Sequence, residues 1–97
     1  MKLITKEIKN TLPKLYAQDS KGLNAIVYVK FFTPDSNWTW YATEFDGKDT
    51  FFGLVDGFVK ELGYFSLSEL ESVKGPYGLK IERDLYFKQT TLEELMK

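Results

Sequence analysis

Four carboxylates stand close together in the middle of the chain, Glu44, Asp46, Asp49 and Asp56. Two carboxylates can divide the acid and base roles of a hydrolase, and one or two can hold an oxygen-ligated ion such as Mg²⁺. A structural explanation is simpler. Asp46-Gly47 and Asp56-Gly57 separate apolar runs, and Asp-Gly is a turn-forming dipeptide because both residues tolerate positive φ. The only arginine, Arg83, stands between Glu82 and Asp84. A guanidinium can clamp a carboxylate or phosphate through paired hydrogen bonds. With an acid on each side it is expected to form a local salt bridge, worth ~0–1 kcal/mol at a surface, or the polar rim of an interface. The third group is aromatic: Tyr28, Trp38, Trp40 and Tyr41 lie in or beside β-prone runs. Aromatic residues and arginine carry much of the energy of protein interfaces, and rings on a sheet can also stack nucleobases.

Composition removes other chemistries. The chain has neither cysteine nor histidine. Disulfides, thiolate zinc sites, cysteine nucleophiles and histidine-based triads are therefore excluded. No serine sits in a G-x-S-x-G elbow, and Gly53, Gly57 and Gly63 are too scattered to cradle a phosphate. Thirteen basic residues face 14 acidic ones, for a net charge of −1. Phosphate-backbone binding needs a surplus of cations, and Lys30 is the only cation in the first two predicted strands. Nucleic-acid binding is thus at most a minor expectation. No cofactor is expected.

The elements that position these residues follow from pattern. At 97 residues, 43% hydrophobic and 16% aromatic, one domain with one core is expected. Thr5 can cap a helix over about residues 6–16, with Ile4, Ile8, Leu12 and Leu15 on one stripe and Pro13 ending or kinking it near Thr11 or Leu12. Residues 25–32 read as a strand, 38–45 as a second, Phe51 to Val55 as a third and Phe58 to Phe65 as a fourth. Turn-forming segments between them predict an α+β fold: an antiparallel four-stranded meander with short N-terminal, middle and C-terminal helices. Ser66-Leu67-Ser68-Glu69 and Thr91-Leu92-Glu93-Glu94 are capping boxes that open the later two helices; Leu67, Leu70 and Val73 line one face of the first of these, and Gly75-Pro76 stops it.

Strict alternation in the strands places Val27, Val29 and Phe31 on one face and Ile26, Tyr28 and Phe32 on the other. It places Trp38 and Trp40 opposite Tyr41 and Phe45. Neither face is polar throughout. Either helices cover both faces, or one face offers aromatics to a partner. The second alternative makes Tyr28, Trp38, Trp40, Tyr41 and Arg83 the candidate binding residues.

The segments Tyr28-Val29-Lys30-Phe31-Phe32-Thr33-Pro34-Asp35-Ser36-Asn37-Trp38-Thr39-Trp40-Tyr41 and onward to Gly47, Glu61 to Leu70, and Ile81-Glu82-Arg83-Asp84-Leu85-Tyr86-Phe87 resemble the bacterial domain of unknown function 2958 family. The resemblance spans most of the chain and departs at Tyr77 and Lys80. It implies a small accessory product carried on bacterial chromosomes, plasmids, integrative elements and phages, and it brings no enzymatic activity, cofactor or catalytic residue with it. No apolar run approaches the ~20 residues of a membrane span, and the N-terminus lacks a signal-peptide core, so the expected setting is cytoplasmic. The leading expectation is a non-catalytic module with a protein partner. Single-stranded nucleic-acid binding and a small Asp/Glu hydrolase are the alternatives.

Overall fold

The first turn of structure forms where the capping residue predicts it. In a computed structural model, which describes residues 1–97, the Thr5 hydroxyl accepts a hydrogen bond from the Ile8 amide (3.2 Å) and opens α1, Lys6–Thr11. The helix stops one residue before the residue preceding Pro13, because that proline excludes helical geometry in its predecessor. Leu3, Ile4 and Leu12 are buried and Ile8 packs beside them. Leu15 lies past the helix end. A 3₁₀ segment follows at Asp19–Asn24.

The meander is present as β2 (Val29–Phe32), β3 (Thr39–Phe45), β4 (Thr50–Asp56) and β5 (Lys60–Ser66). All pairs are antiparallel. A short fifth strand, β6 (Glu82–Arg83), extends the sheet beside β2, so the order is β5-β4-β3-β2-β6. The fourth predicted strand starts later than its sequence pattern, because Gly57 to Val59 form the turn; the Gly57 amide donates to the Val59 carbonyl. The predicted first strand is broken at Tyr28. Its N-terminal piece, β1 (Ile26–Val27), leaves the sheet and pairs with β7 (Thr90–Thr91). Two helices close the fold. Ser66 caps α2 (Leu67–Ser72) through the Glu69 amide, and Thr91 caps α3 (Leu92–Met96) through the Glu94 amide.

Two local irregularities change which residues share a face. The break at Tyr28 sends Val27 into a cluster with Ala25, Leu54 and Leu92, while Val29 and Phe31 join Trp40. In β3 the register shifts between Ala42 and Glu44. Thr43 is the extra residue of a β-bulge, which resets the alternation. Phe45 therefore lies on the same face as Trp40, not opposite it as strict alternation predicts. Phe45, Phe51 and Phe65 stack in sequence, with centroids 4.3 and 5.2 Å apart. Each such fully buried ring contributes about 1.5–3 kcal/mol. This first face is covered by the N-terminal segment and by Leu70 of α2. The second face carries Tyr41, Leu54, Phe52, Leu62 and Tyr64. It is covered by α3 and the 3₁₀ segment only in part. No helix is long and apolar enough to cross a membrane.

Candidate functional site

The aromatic residues singled out from sequence are mostly consumed by packing. Trp40 is 9% exposed and belongs to the core. Trp38 is half-buried; it stacks on Trp40 (6.0 Å, 29°) and meets Phe58 edge-on (5.4 Å). A Cβ on Gly57 would collide with the Trp38 ring, so this glycine is the bed on which the indole lies. Tyr41 sits on the second face against Phe87 (6.1 Å). Burial, then the charges of Asp56 and Asp84, raise its pKa above 10.0. Tyr28 packs against the Trp40 cluster, and its amide donates to the Ala42 carbonyl. Arg83 does not bridge to its flanking acids. Its Nη1 donates to the carbonyls of Lys2 and Leu3 (2.7 Å each), which ties the N-terminus to β6. Asp84 instead pairs with Lys30 at 3.5 Å. Tyr28 and Arg83 do meet at one shallow cavity of about 290 Å³, but Trp38, Trp40 and Tyr41 are elsewhere.

Three of the four candidate carboxylates are committed to partners, and Asp56, at the end of β4, has none. Asp46 accepts from the amides of Lys48, Asp49 and Thr50 at 2.8–3.0 Å, forming the β3–β4 turn. Those bonds, that from Lys48 foremost, hold its pKa below 3.8. Asp49 accepts from the amide and hydroxyl of Ser68 and so anchors α2 to the turn. Glu44 is only 2% exposed; its two oxygens accept from the amides of Tyr16 and Gln18, each at 2.8 Å. The Gln18 side chain continues the network to the Ile26 amide and the carbonyls of Ile26 and Thr43. No three carboxylates gather at one point.

Exposed apolar side chains gather in the loops at Tyr77, Leu79, Leu85 and Tyr86 and on the β4–β5 hairpin, and the second of these adjoins a strand. Phe58 is 93% exposed, Tyr64 57% and Leu62 43%, with Val59 also exposed. The strand beside them is an open edge. The Leu67 amide donates to the Asp49 carbonyl and the Gly57 amide to the Val59 carbonyl. The hydrogen-bonded pairs of the β4–β5 ladder are therefore Phe51–Phe65, Gly53–Gly63 and Val55–Glu61. The amides and carbonyls of Leu62 and Tyr64 face away from the sheet, where no strand lies.

A cavity of about 250 Å³ opens on the second face next to this edge. Phe52, Leu62 and Leu92 form its apolar wall, and Leu23 and Asp19 of the 3₁₀ segment form its other side. Glu44 reaches it from below, so its lining holds two carboxylates and no cation. Tyr64 stands near Tyr16, which, with burial and the charges of Asp19 and Glu44, raises the Tyr64 pKa above 10.0. An open strand edge, alternate side chains standing beside it and a side pocket together can take an extended peptide as an added strand. Sequence reasoning missed Leu62, Tyr64 and Phe58. The signal was present in the length of the fourth strand after a tight turn, with no later long strand in sequence to cover it.

The sequence model of a family described as "Protein of unknown function (DUF2958)" matches residues 3–95. No curated protein and no solved structure matches the chain.

Proposed function

We propose a function for a chain that belongs to the DUF2958 family, whose members carry no assigned activity. It is a non-catalytic protein-interaction module that receives an extended segment of a partner protein along β5. The observation that carries this reading is the free edge at Leu62 and Tyr64 beside a pocket lined by Asp19 and Glu44. Main-chain bonds along such an edge supply affinity, and pockets for alternate side chains supply specificity. The charge of the pocket selects the partner's chemistry: an extended apolar stretch bearing one lysine or arginine. A second copy of the chain fits less well. Antiparallel pairing of two β5 strands about Gly63 sets Lys60 opposite Ser66, at the strand end and past the pocket. The same reading places the protein among accessory products of bacterial mobile elements in the cytoplasm, and the family resemblance is what supports that part of it.

The test is a peptide-display selection on the immobilised domain, followed by anisotropy titration of the recovered peptides. Tyr64→Pro removes an amide that points off the sheet, a position where proline is tolerated. Tyr64→Ala removes the ring and keeps the amide. Recovered peptides should carry a basic residue within an apolar run, and Tyr64→Pro should weaken them by about tenfold or more beyond Tyr64→Ala. A selection that enriches nothing, or peptides that bind Tyr64→Pro as well as the parent, would refute the reading.

A further inference from the structure

The largest cavity lies elsewhere, on the Phe45 side of the sheet, with a volume of about 420 Å³. Four lysines line it: Lys2, Lys6 and Lys9 from the N-terminal segment and α1, and Lys48 from the β3–β4 turn. Lys6 and Lys9, three apart in α1, share one flank of the helix, the N-terminal segment carries Lys2 to the same cavity, and the turn after Phe45 brings Lys48 up to them; the Lys9 Cε lies 3.8 Å from where a Cβ on Gly47 would stand. The only acid in the wall is Glu71. The two ion pairs of the protein belong to Lys30 and Lys97, so none of these four ammonium groups has a carboxylate at salt-bridge distance. Four like charges around one cavity, in a chain whose net charge is −1, are repulsive unless an anion joins them. Between the lysines the cavity has an apolar floor, from Phe45 and Leu67.

We propose that this cavity binds a small phosphate-bearing molecule of nucleotide size, with its phosphates among the lysines and its apolar part on the floor. Lysine is a point charge with three donors, suited to phosphate oxygens that shift in position. A volume of this size is in the range of small-ligand sites, about 300–1,000 Å³. A nucleic-acid strand is the less fitting source of the same phosphates. A strand needs cations along a track, whereas these are collected around one hollow.

The experiment is calorimetric titration of the whole chain at low salt with pyrophosphate, with ATP, with adenosine and with a twelve-nucleotide oligothymidine. Two variants accompany it: Lys6→Gln/Lys9→Gln, which removes charge, and Lys6→Arg/Lys9→Arg, which keeps it. All substituted side chains are exposed, and circular dichroism verifies folding. The expected result has ATP binding more tightly than pyrophosphate and adenosine not binding. The glutamine pair should weaken ATP by about tenfold, and the arginine pair should retain it. The proposal is overturned if neither ATP nor pyrophosphate binds, if the glutamine pair binds ATP as well as the parent, or if only the oligonucleotide is retained.

Discussion

Replacing Glu44 with glutamine should cost about 2–4 kcal/mol of stability. The estimate follows from the two bonds that its carboxylate accepts, from the Tyr16 and Gln18 amides at 2.8 Å each. A hydrogen bond to a charged group contributes about 1.5–3 kcal/mol, against about 0.5–1.5 kcal/mol for a neutral pair. Glutamine keeps one acceptor and turns its NH₂ toward the second amide, so one bond weakens and the other becomes two donors facing each other. An unsatisfied buried donor alone costs about 1–3 kcal/mol. That is a large share of the roughly 5–15 kcal/mol available to a small domain. Urea unfolding followed by the fluorescence of Trp38 and Trp40 measures it. At about 4–8 °C per kcal/mol, the midpoint temperature should drop by at least about 10 °C. Hydrogen exchange adds a local readout, since the amides of Gln18 and Ile26 belong to the network and should lose protection first. Glu94→Gln is the control, because its pair with Lys97 is exposed and its loss should stay within about 0.5 kcal/mol. If Glu44→Gln matches that control, the carboxylate is not what holds the Tyr16–Gln18 segment against β3.

Other perturbations separate structural duties from binding ones. Arg83→Ala should cost about 1–3 kcal/mol by freeing two carbonyl bonds and should expose residues 1–4 to limited proteolysis, whereas changes at the β5 edge should leave that cleavage untouched. Gly53→Ala should abolish folding, read by circular dichroism, because the new Cβ would collide with the Tyr41 carbonyl oxygen; Gly63→Ala meets nothing within 4 Å and should fold normally. The Tyr41 phenol has a raised pKa in the folded state, so its contribution is complete below the unfolded value of about 10 and is lost as pH climbs through the folded value. Alkaline unfolding should therefore be shallower in Tyr41→Phe, and absorbance at alkaline pH should show two tyrosines ionising late in the parent, Tyr41 and Tyr64, and one in Tyr41→Phe.

The starts of the helices and the β3–β4 turn were legible because each is set by a few adjacent residues: Thr5, Ser66 and Thr91 cap helices through their own hydroxyls, and Asp46 organises its turn through its own carboxylate. The end of α2 was not, since the chain is already extended at Val73, before Gly75-Pro76. The sheet faces were not legible, because one inserted residue reverses everything after it. The candidate site failed for a different reason, since Trp40 and Tyr41 precede the bulge and stand on opposite faces as alternation predicts, but the Trp40 face is covered by the N-terminal segment and α2. A tryptophan assigned by alternation to a presentable face packs into the core, while Phe58 and Tyr64 are exposed at a hairpin tip and an open edge and Tyr16, Tyr77 and Tyr86 in loops, an exposure that depends on what the rest of the chain fails to cover. The short strands β6 and β7 have two residues each, too few for a period. Lys2, Lys6 and Lys9 are a different case. They were not singled out in the sequence, because a net charge near zero says nothing about whether the charges segregate.

The bulge at Thr43 joins the core to the proposed peptide site. Without the extra residue, alternation from Trp40 would carry Glu44 onto the Phe51 face and Phe45 away from it. A carboxylate would then enter an apolar cluster, and a ring would leave the stack it now completes at 4.3 Å. With the bulge, Phe45 fills the core and Glu44 turns to the second face, where it meets the amides of Tyr16 and Gln18. Holding that segment places Tyr16 in the left-handed region (φ 73°), a conformation that costs a non-glycine residue about 1–2 kcal/mol. The same contact fixes the wall of the pocket beside β5 and sets Tyr16 near Tyr64. The charge that stabilises the fold is thus also one of the two charges facing the pocket. An occupant that brings a cation there would relieve a buried anion whose only other partners are backbone amides, so peptide binding and the stability of this segment should rise and fall together.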